Sequence, residues 1–563
     1  MRNYHGISTC CYLGESYIVI PSQRPFSHLK RPENLTHVDY ECPANLLVDV
    51  NATVASIISL IESYIALTVR VPPLLIARLF RGGKTTVLKL VFEHLRLQQD
   101  ILPIIISLND GFILITGESL QQAILNAIAC QFIEVDPSES PTQFQCYNKT
   151  ALFAHIASLP YTKVVLLIDE LNRFGLPVDQ SVATFLKTHF LDKFNFYLVF
   201  TSHQPIDIEA ETVSVDAYMH GGSGRTVVLP DHLPQTNNLN QLQGMPGCGA
   251  ITRCELSLYG GIPSLLYTSK NLLASEMPRN RFNRYWAKAR CLLTEDNRTV
   301  LLRSYLRELR TGESAIAPPS VPKLFDSFAS HYKTVDEKWF KSWPLCYIEC
   351  ILYEFGFTSM REITDALVVF AAQTESGGKD WECMLIAGIY IWCLDTMMNP
   401  VLRGADGRKF RQHGPFDIAG SKGIAGVSLK NLPAQGESAI TTIDEALTFF
   451  CSMKLQDSRV VIAIPTYAKF PDYDGFLCYN RAKGSAPTII GFQCKKDRAY
   501  PKHEVPKGIS KAVLLRGNEP SATFVKKKWA YYNGEQVRTV LGWSLRHLFA
   551  ADWGEVPLND AFD

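Results

Sequence analysis

From about Val71 onward, short apolar runs alternate with amphipathic segments, a pattern that selects a parallel β-sheet flanked by helices over most other architectures. Leu74 to Leu79 reads as a strand and Thr85 to Gln98 as a helix. Pro103 to Leu108, Val164 to Ile168 and Phe196 to Phe200 are continuous runs rich in Val, Ile, Leu and Phe. Strands that are apolar on both sides belong to sheets covered on both faces. The expected fold is α/β, a parallel sheet with helices on both faces.

Between the first strand and the first helix stands Arg81-Gly82-Gly83-Lys84-Thr85-Thr86. Glycines let backbone N–H groups approach phosphate oxygens, the helix N-terminus adds the positive end of its dipole, Lys84 reaches the terminal phosphates and Thr85 can ligate Mg²⁺. Gly82, Gly83, Lys84, Thr85 and Thr86 are therefore the expected nucleotide-binding residues of a P-loop NTPase, with ATP and Mg²⁺ as cofactors. One position departs from the GxxxxGK[ST] template, since Arg78 stands five residues before Gly83 where a glycine belongs. A chance Gly-Lys-Thr turn is the alternative, and the strand-loop-helix setting speaks against it. The strand Lys163 to Ile168 then ends in Asp169-Glu170. That pair suits an NTPase in which Asp169 holds Mg²⁺ through water and Glu170 polarises the attacking water as the catalytic carboxylate. The next strand ends in Thr201-Ser202-His203, where a polar sensor of the γ-phosphate is expected. Arg225, in a glycine-rich run, either supplies charge to the transition state or is an ordinary solvated loop arginine.

A chain of 563 residues with 47% apolar content exceeds one core and predicts three or four domains. Charged residues at 20%, with 35 Gly and 31 Pro, exclude both disorder and a fibrous repeat. The expected division is 1–50, a segment without an assigned role; 51–255, the P-loop NTPase domain; 256–335, a helical region ending in the Ala317 to Pro322 linker; and 336–563, a second α/β domain. In the last, Leu345 to Tyr353 and Asp380 to Leu394 read as helices, and Val460 to Ile464, Gly475 to Tyr479 and Thr488 to Gln493 as strands. Fifteen cysteines without a CxxC pair or a zinc-spaced Cys/His cluster suit a reduced, intracellular environment. Ser16 to Pro21 is too short for a signal-peptide core, and no uninterrupted apolar stretch suits a membrane span, so no leader and no membrane partner are expected.

The C-terminal third carries a second constellation. Phe470-Pro471-Asp472-Tyr473-Asp474-Gly475 is followed by Gly491-Phe492-Gln493-Cys494-Lys495. An Asp at a strand start, then an acceptor and a Lys two apart on the next strand, is the arrangement of a PD-(D/E)xK nuclease. Alternation predicts Gln493 and Lys495 on one face, converging with Asp474. In that chemistry Asp474 and the acceptor hold a divalent ion and the lysine neutralises developing charge. Glu382 on a preceding helix would complete the catalytic set Asp474, Gln493, Lys495 and Glu382. Gln493 stands where a carboxylate is usual, and a neutral amide is the poorer Mg²⁺ ligand. Overall the chain has 56 basic and 55 acidic side chains, yet between Arg481 and Leu548 the balance is 14 to 4. Lys526-Lys527-Lys528-Trp529 with Tyr531 and Tyr532 joins cations to aromatics, a mix suited to a nucleic-acid partner. The Arg-rich stretch Arg279 to Arg310 is a second, weaker candidate for phosphate contact.

These residues, with His503 and Pro506, together resemble the NTPase-plus-nuclease architecture of Crinkler effectors and of retrotransposon hot spot proteins. The resemblance spans roughly residues 70 to 550. It implies a P-loop domain fused to a restriction-endonuclease-like domain, DNA as the nucleic acid, host proteins as further partners, secretion by a pathogen and action in the host nucleus. No LFLAK-type translocation segment is present at the front. The expected function is ATP turnover coupled to a metal-dependent nuclease. The alternative is a nucleotide-switched module that binds nucleic acid or protein through a degenerate, non-cutting nuclease fold.

Overall fold

In the computed structural model the chain forms two compact units, Met1–Thr236 and Asn237–Asp563. The structure describes residues 3–4, 7–10, 17–18, 50–63, 73–77, 83–108, 119–134, 145–146, 149–171, 180–202, 253–260, 265, 276–312, 324–325, 328–333, 339–371, 379–399, 402–403, 409–410, 426–436, 438–453, 459–467, 469–480, 486–495, 504–516, 529–532, 537 and 539–545. Arg81, Gly82, Arg225, the Ala317 to Pro322 linker and Lys526 to Lys528 lie outside the described residues.

The first unit is built on strands β1 (Leu74–Ala77), β2 (Ile101–Ser107), β3 (Lys163–Asp169) and β4 (Phe196–Ser202). All are parallel, in the order β1-β4-β3-β2. Each strand that the apolar runs predict is present. Their two-sided hydrophobicity has a plain cause, because alternate residues enter two different cores. Ile104, Ile106, Leu166, Ile168, Leu198 and Phe200 face helices α3 (Leu120–Cys130), α4 (Lys149–Ser158) and α5 (Gln180–Leu186). Ile105, Val165, Leu167, Tyr197 and Val199 face α1 (Val50–Ser63) and α2 (Lys84–Leu95). Burying one such side chain contributes roughly 1.5–3 kcal/mol, so the two layers hold the sheet between them. After α5 the helix continues as a π-helical turn, Lys187–Leu191.

Parallel strands all end on the same edge, and in open α/β sheets ligands bind outside the carboxyl ends. The strand order sets β3 next to β4 and β4 next to β1. The end of β3 thus lies two strands from the end of β1, where the glycine-lysine loop begins.

The second unit pairs a helical layer with a mixed sheet. Helix α6 (Arg253–Tyr259) packs with α9 (Leu345–Glu354) and α10 (Ser359–Ala371); α7 (Glu276–Ala289) packs on α9; and α8 (Glu295–Thr311) packs on α11 (Lys379–Met398). By length and composition α11 could cross a membrane, but most of it is buried within this unit, as a core helix is. Three arginines of the Arg-rich stretch make internal contacts. Arg279 pairs with Glu349 at 3.0 Å and Asp365 at 2.7 Å, and Arg310 pairs with Asp395 at 2.8 Å and lies 3.7 Å from the centroid of the Trp392 ring. Arg298 donates to the Glu354 carbonyl. These three arginines tie helices together, while Arg284, Arg290 and Arg303 of the same stretch are exposed.

After a short antiparallel pair, β5 (Ser330–Lys333) with β6 (Trp339–Ser342), comes a six-stranded sheet. Its strands are β7 (Gly426–Leu432), β8 (Arg459–Pro465), β9 (Gly475–Tyr479), β10 (Thr488–Lys495), β11 (Lys511–Arg516) and β12 (Ala530–Tyr532), in sequence order. The pairs β7/β8, β10/β11 and β11/β12 are parallel, while β8-β9-β10 is an antiparallel meander. Helix α12 (Ile443–Ser452) links β7 to β8 and inserts Ala446 and Phe450 into a core with Phe476, Cys478, Ile489, Leu514 and Trp529. Gly491 of β10 sits beneath the Tyr473 ring, where a Cβ would come within 2.3 Å of ring carbon, so only glycine fits.

Candidate functional site

Helix α2 starts at Lys84 because Gly83 turns the chain with φ 86°. A side chain on Gly83 would meet nothing within 4 Å, so glycine serves the left-handed backbone there, not a tight contact. Lys84 is buried, and Thr85 and Thr86 are half-buried in the first turn. Of the five expected loop residues, Gly83 to Thr86 are placed at this junction of turn and helix.

Asp169 ends β3 and is only 1% exposed. A carboxylate taken from water needs hydrogen-bond donors. Three hydroxyls from three elements supply them. Thr85 Oγ1 donates to Asp169, 3.1 Å from Oδ1 and 3.0 Å from Oδ2. Thr201 Oγ1, at the end of β4, donates to Oδ1 at 2.8 Å. Ser107 Oγ, at the end of β2, lies 3.4 Å from Oδ2. Ser107 was not singled out by sequence; its signal is the register, which sets it opposite Asp169.

Glu170 follows at φ 59°, a left-handed backbone that costs a non-glycine residue about 1–2 kcal/mol. Its N–H donates to Thr201 Oγ1 at 2.7 Å, which holds the turn in place. Such strained carboxylate turns cluster at functional sites. Thr201, fully buried, therefore accepts from the Glu170 backbone and donates to Asp169, joining the two acidic residues through one hydroxyl.

In the second unit Asp474 stands just before β9. Its N–H donates to the Phe492 carbonyl at 3.0 Å, and its Oδ2 accepts the Cys494 N–H at 2.6 Å. The register Gly475↔Phe492 sets Asp474 beside Gln493. Gln493 is 5% exposed, and its Oε1 is buried without a hydrogen-bond partner. Lys495 closes β10 in register with Arg516. Glu382 lies in the first turn of α11, a helix that contributes no residue to the core on the Gln493 side of the sheet. Tyr473 stacks on Trp529 with ring centroids 5.0 Å apart, and burial pushes its phenol above the ordinary range. The aromatic that the sequence grouped with the lysine run is thus a core residue. Among the described residues, no group of three His, Cys, Asp or Glu side chains is arranged to hold a metal.

No protein-family model matches the chain, and no curated protein does. Among solved structures it is similar to a Walker-type ATPase of Pyrococcus abyssi at 12% identity and TM-score 0.38, covering 56% of this chain and 99% of that one. It is also similar to Cdc6p from Pyrobaculum aerophilum, at 13% identity and TM-score 0.27, covering 58% and 97%. A third likeness is to Drosophila ORC bound to AT-rich DNA and Cdc6, at 13% identity and TM-score 0.18, covering 54% and 92%. The fold of the first unit stands on its own geometry: a parallel sheet between two helical layers, a left-handed glycine opening the loop helix, and a buried aspartate bound to the threonine of that loop make it a P-loop NTPase fold.

Proposed function

We propose that the first unit binds ATP with Mg²⁺ at Gly82 to Thr86 and hydrolyses it, and that this turnover controls a nucleic-acid-acting second unit in the manner of a Crinkler-like effector. The observation that carries the first part is the meeting of Thr85, Ser107 and Thr201 on Asp169. The oxygens of Thr85 and Asp169 lie side by side at the carboxyl edge, a hard-donor pair that fits Mg²⁺. Bound there, the ion would neutralise charge on the β- and γ-phosphates. Lys84 would bind the terminal phosphates from the start of α2. Glu170, turned out of the strand by its left-handed backbone, would polarise the attacking water, and Thr201 fixes its position relative to Asp169.

The test is nucleotide binding and phosphate release by the full chain. Lys84→Ala is expected to weaken binding and abolish hydrolysis, while Glu170→Gln keeps binding and loses turnover by on the order of 10²-fold or more. Parent-like hydrolysis by both variants would overturn the assignment.

For the second unit, a restriction-endonuclease-like site is assigned to Asp474, Gln493 and Lys495, with Asp474 as the metal-holding residue and DNA as the partner. Its support is the β9/β10 pairing and the basic excess between Arg481 and Leu548. Host proteins as further partners, secretion and action in the host nucleus belong to the same proposal and rest on the resemblance. A second reading has its own observation. The Asp474 carboxylate already caps the Cys494 N–H and Gln493 carries no charge, which favours a nucleotide-switched binding module that does not cut.

A further inference from the structure

On the sheet face opposite α2, a cleft of about 520 Å³ opens where α3, α4 and α5 meet. Its size falls within the range of small-molecule sites. Gln121 from α3, Lys149 from the first position of α4, and Ser181, Thr184, Thr188 and His189 from α5 and its π turn line it. The spacing of Ser181, Thr184 and Thr188 puts three hydroxyls on one helical face. A π turn inserts an extra residue into a helix and is frequent at functional sites; here it lets the neighbours Thr188 and His189 both line the cleft. The imidazole lies parallel to the Phe153 ring, 4.4 Å between centroids and 12° between planes, which fixes its orientation.

Among the described residues the lining holds an ammonium, an amide, three hydroxyls, an imidazole and the Phe185 ring, and no carboxylate. Such a set complements a group with negative charge and several acceptor oxygens. We propose that this cleft binds a small phosphate-bearing ligand, with Lys149 as its charge partner and the hydroxyl face and His189 as its hydrogen-bonding groups. The electrostatics agree. Burial first, then the charges of Lys149 on α4 and Lys193 beyond the π turn, hold His189 below its ordinary range, so a bound phosphate would offset the two cations that bear on this ring. The ring neighbours of His189, Phe153 and Phe185, bring no charge.

The test is NMR of the full chain with ¹³C-labelled histidine rings, the His189 resonance being assigned with His189→Gln. Inorganic phosphate and ribose 5-phosphate are titrated, with ribose as the uncharged control. Both phosphates are expected to shift the His189 signal saturably and to raise its titration midpoint, and ribose to do neither. Lys149→Ala should weaken binding about tenfold or more, the loss expected for one charge-assisted hydrogen bond. Lys84→Ala should leave it unchanged, which separates this cleft from the nucleotide loop. No saturable shift, equal binding by Lys149→Ala, a response to ribose alone, or loss of the response in Lys84→Ala would each overturn the proposal.

Discussion

At the residue scale, Thr201 concentrates the design of the first unit. Its hydroxyl is both donor to a buried carboxylate and acceptor for the N–H of a strained residue, so one atom sets the positions of Asp169 and Glu170. Thr201→Val keeps the shape and removes both bonds. It is expected to destabilise the first unit by about 1–3 kcal/mol, because the Glu170 N–H is left unpaired and Asp169 loses a donor. A chemical-denaturation midpoint measures that loss. ATP turnover should fall further than stability predicts, since Glu170 loses its anchor. Parent-like turnover in Thr201→Val would mean that Glu170 needs no positioning.

At the scale of elements, helix α12 and the β9/β10 pair each rest on one carboxylate. The Glu445 side chain reaches back to the N–H groups of Thr441 at 2.7 Å and Thr442 at 3.0 Å, and Thr442 in turn caps the Glu445 N–H at 3.3 Å. Those N–H groups, of Thr441 first and then Thr442, hold the Glu445 carboxyl below its ordinary range. Its folded value lies below the unfolded one of about 4.3, so the stabilisation is present above that pH and is lost as the pH falls through the folded value. Glu445→Gln should therefore lower the denaturation midpoint at neutral pH, and the gap to the parent should close as the pH falls below about 4. A gap that stays constant with pH would show that the charge is not involved. In the strand pair, Asp474 caps Cys494 while the Gln493 oxygen is left without a partner. If Gln493 stands at a metal position, Gln493→Glu should raise divalent-dependent cleavage of DNA, because an anionic oxygen outcompetes an amide for a hard cation. A parent that cuts with neither Mg²⁺ nor Mn²⁺, and gains nothing from that change, supports the binding module instead.

At the scale of the whole molecule, the chain holds two units with separate cores. Calorimetry should show two unfolding transitions in place of one cooperative event. ATP with Mg²⁺ should raise only the transition of the first unit, by about 2.7 kcal/mol at a ligand concentration 100 times its dissociation constant. Lys84→Ala should abolish that rise. A single transition, shifted as a whole by nucleotide, would show that the two units unfold as one.

What the sequence determined by itself is local: β1 to β4, α2, α9, α11, β8, β9 and β10 were all legible, because two-sided apolar runs and helical periodicity are properties of neighbouring residues. The two motifs that meet as Thr85 and Asp169 were legible too, since each motif carries its own chemistry. Strand β7 escaped notice because its residues are only intermittently buried, so Gly426–Leu432 lacks the continuous apolar signal. The rest was decided by tertiary structure. Ser107 is one serine among many until the parallel register sets it beside Asp169. Arg279 and Arg310 read as candidates for phosphate contact, and only the packing of α9, α10 and α11 brings Glu349, Asp365 and Asp395 against them. The cleft around His189 gathers residues from three helices, and no local pattern records such a meeting because long-range packing, not chain neighbourhood, creates it.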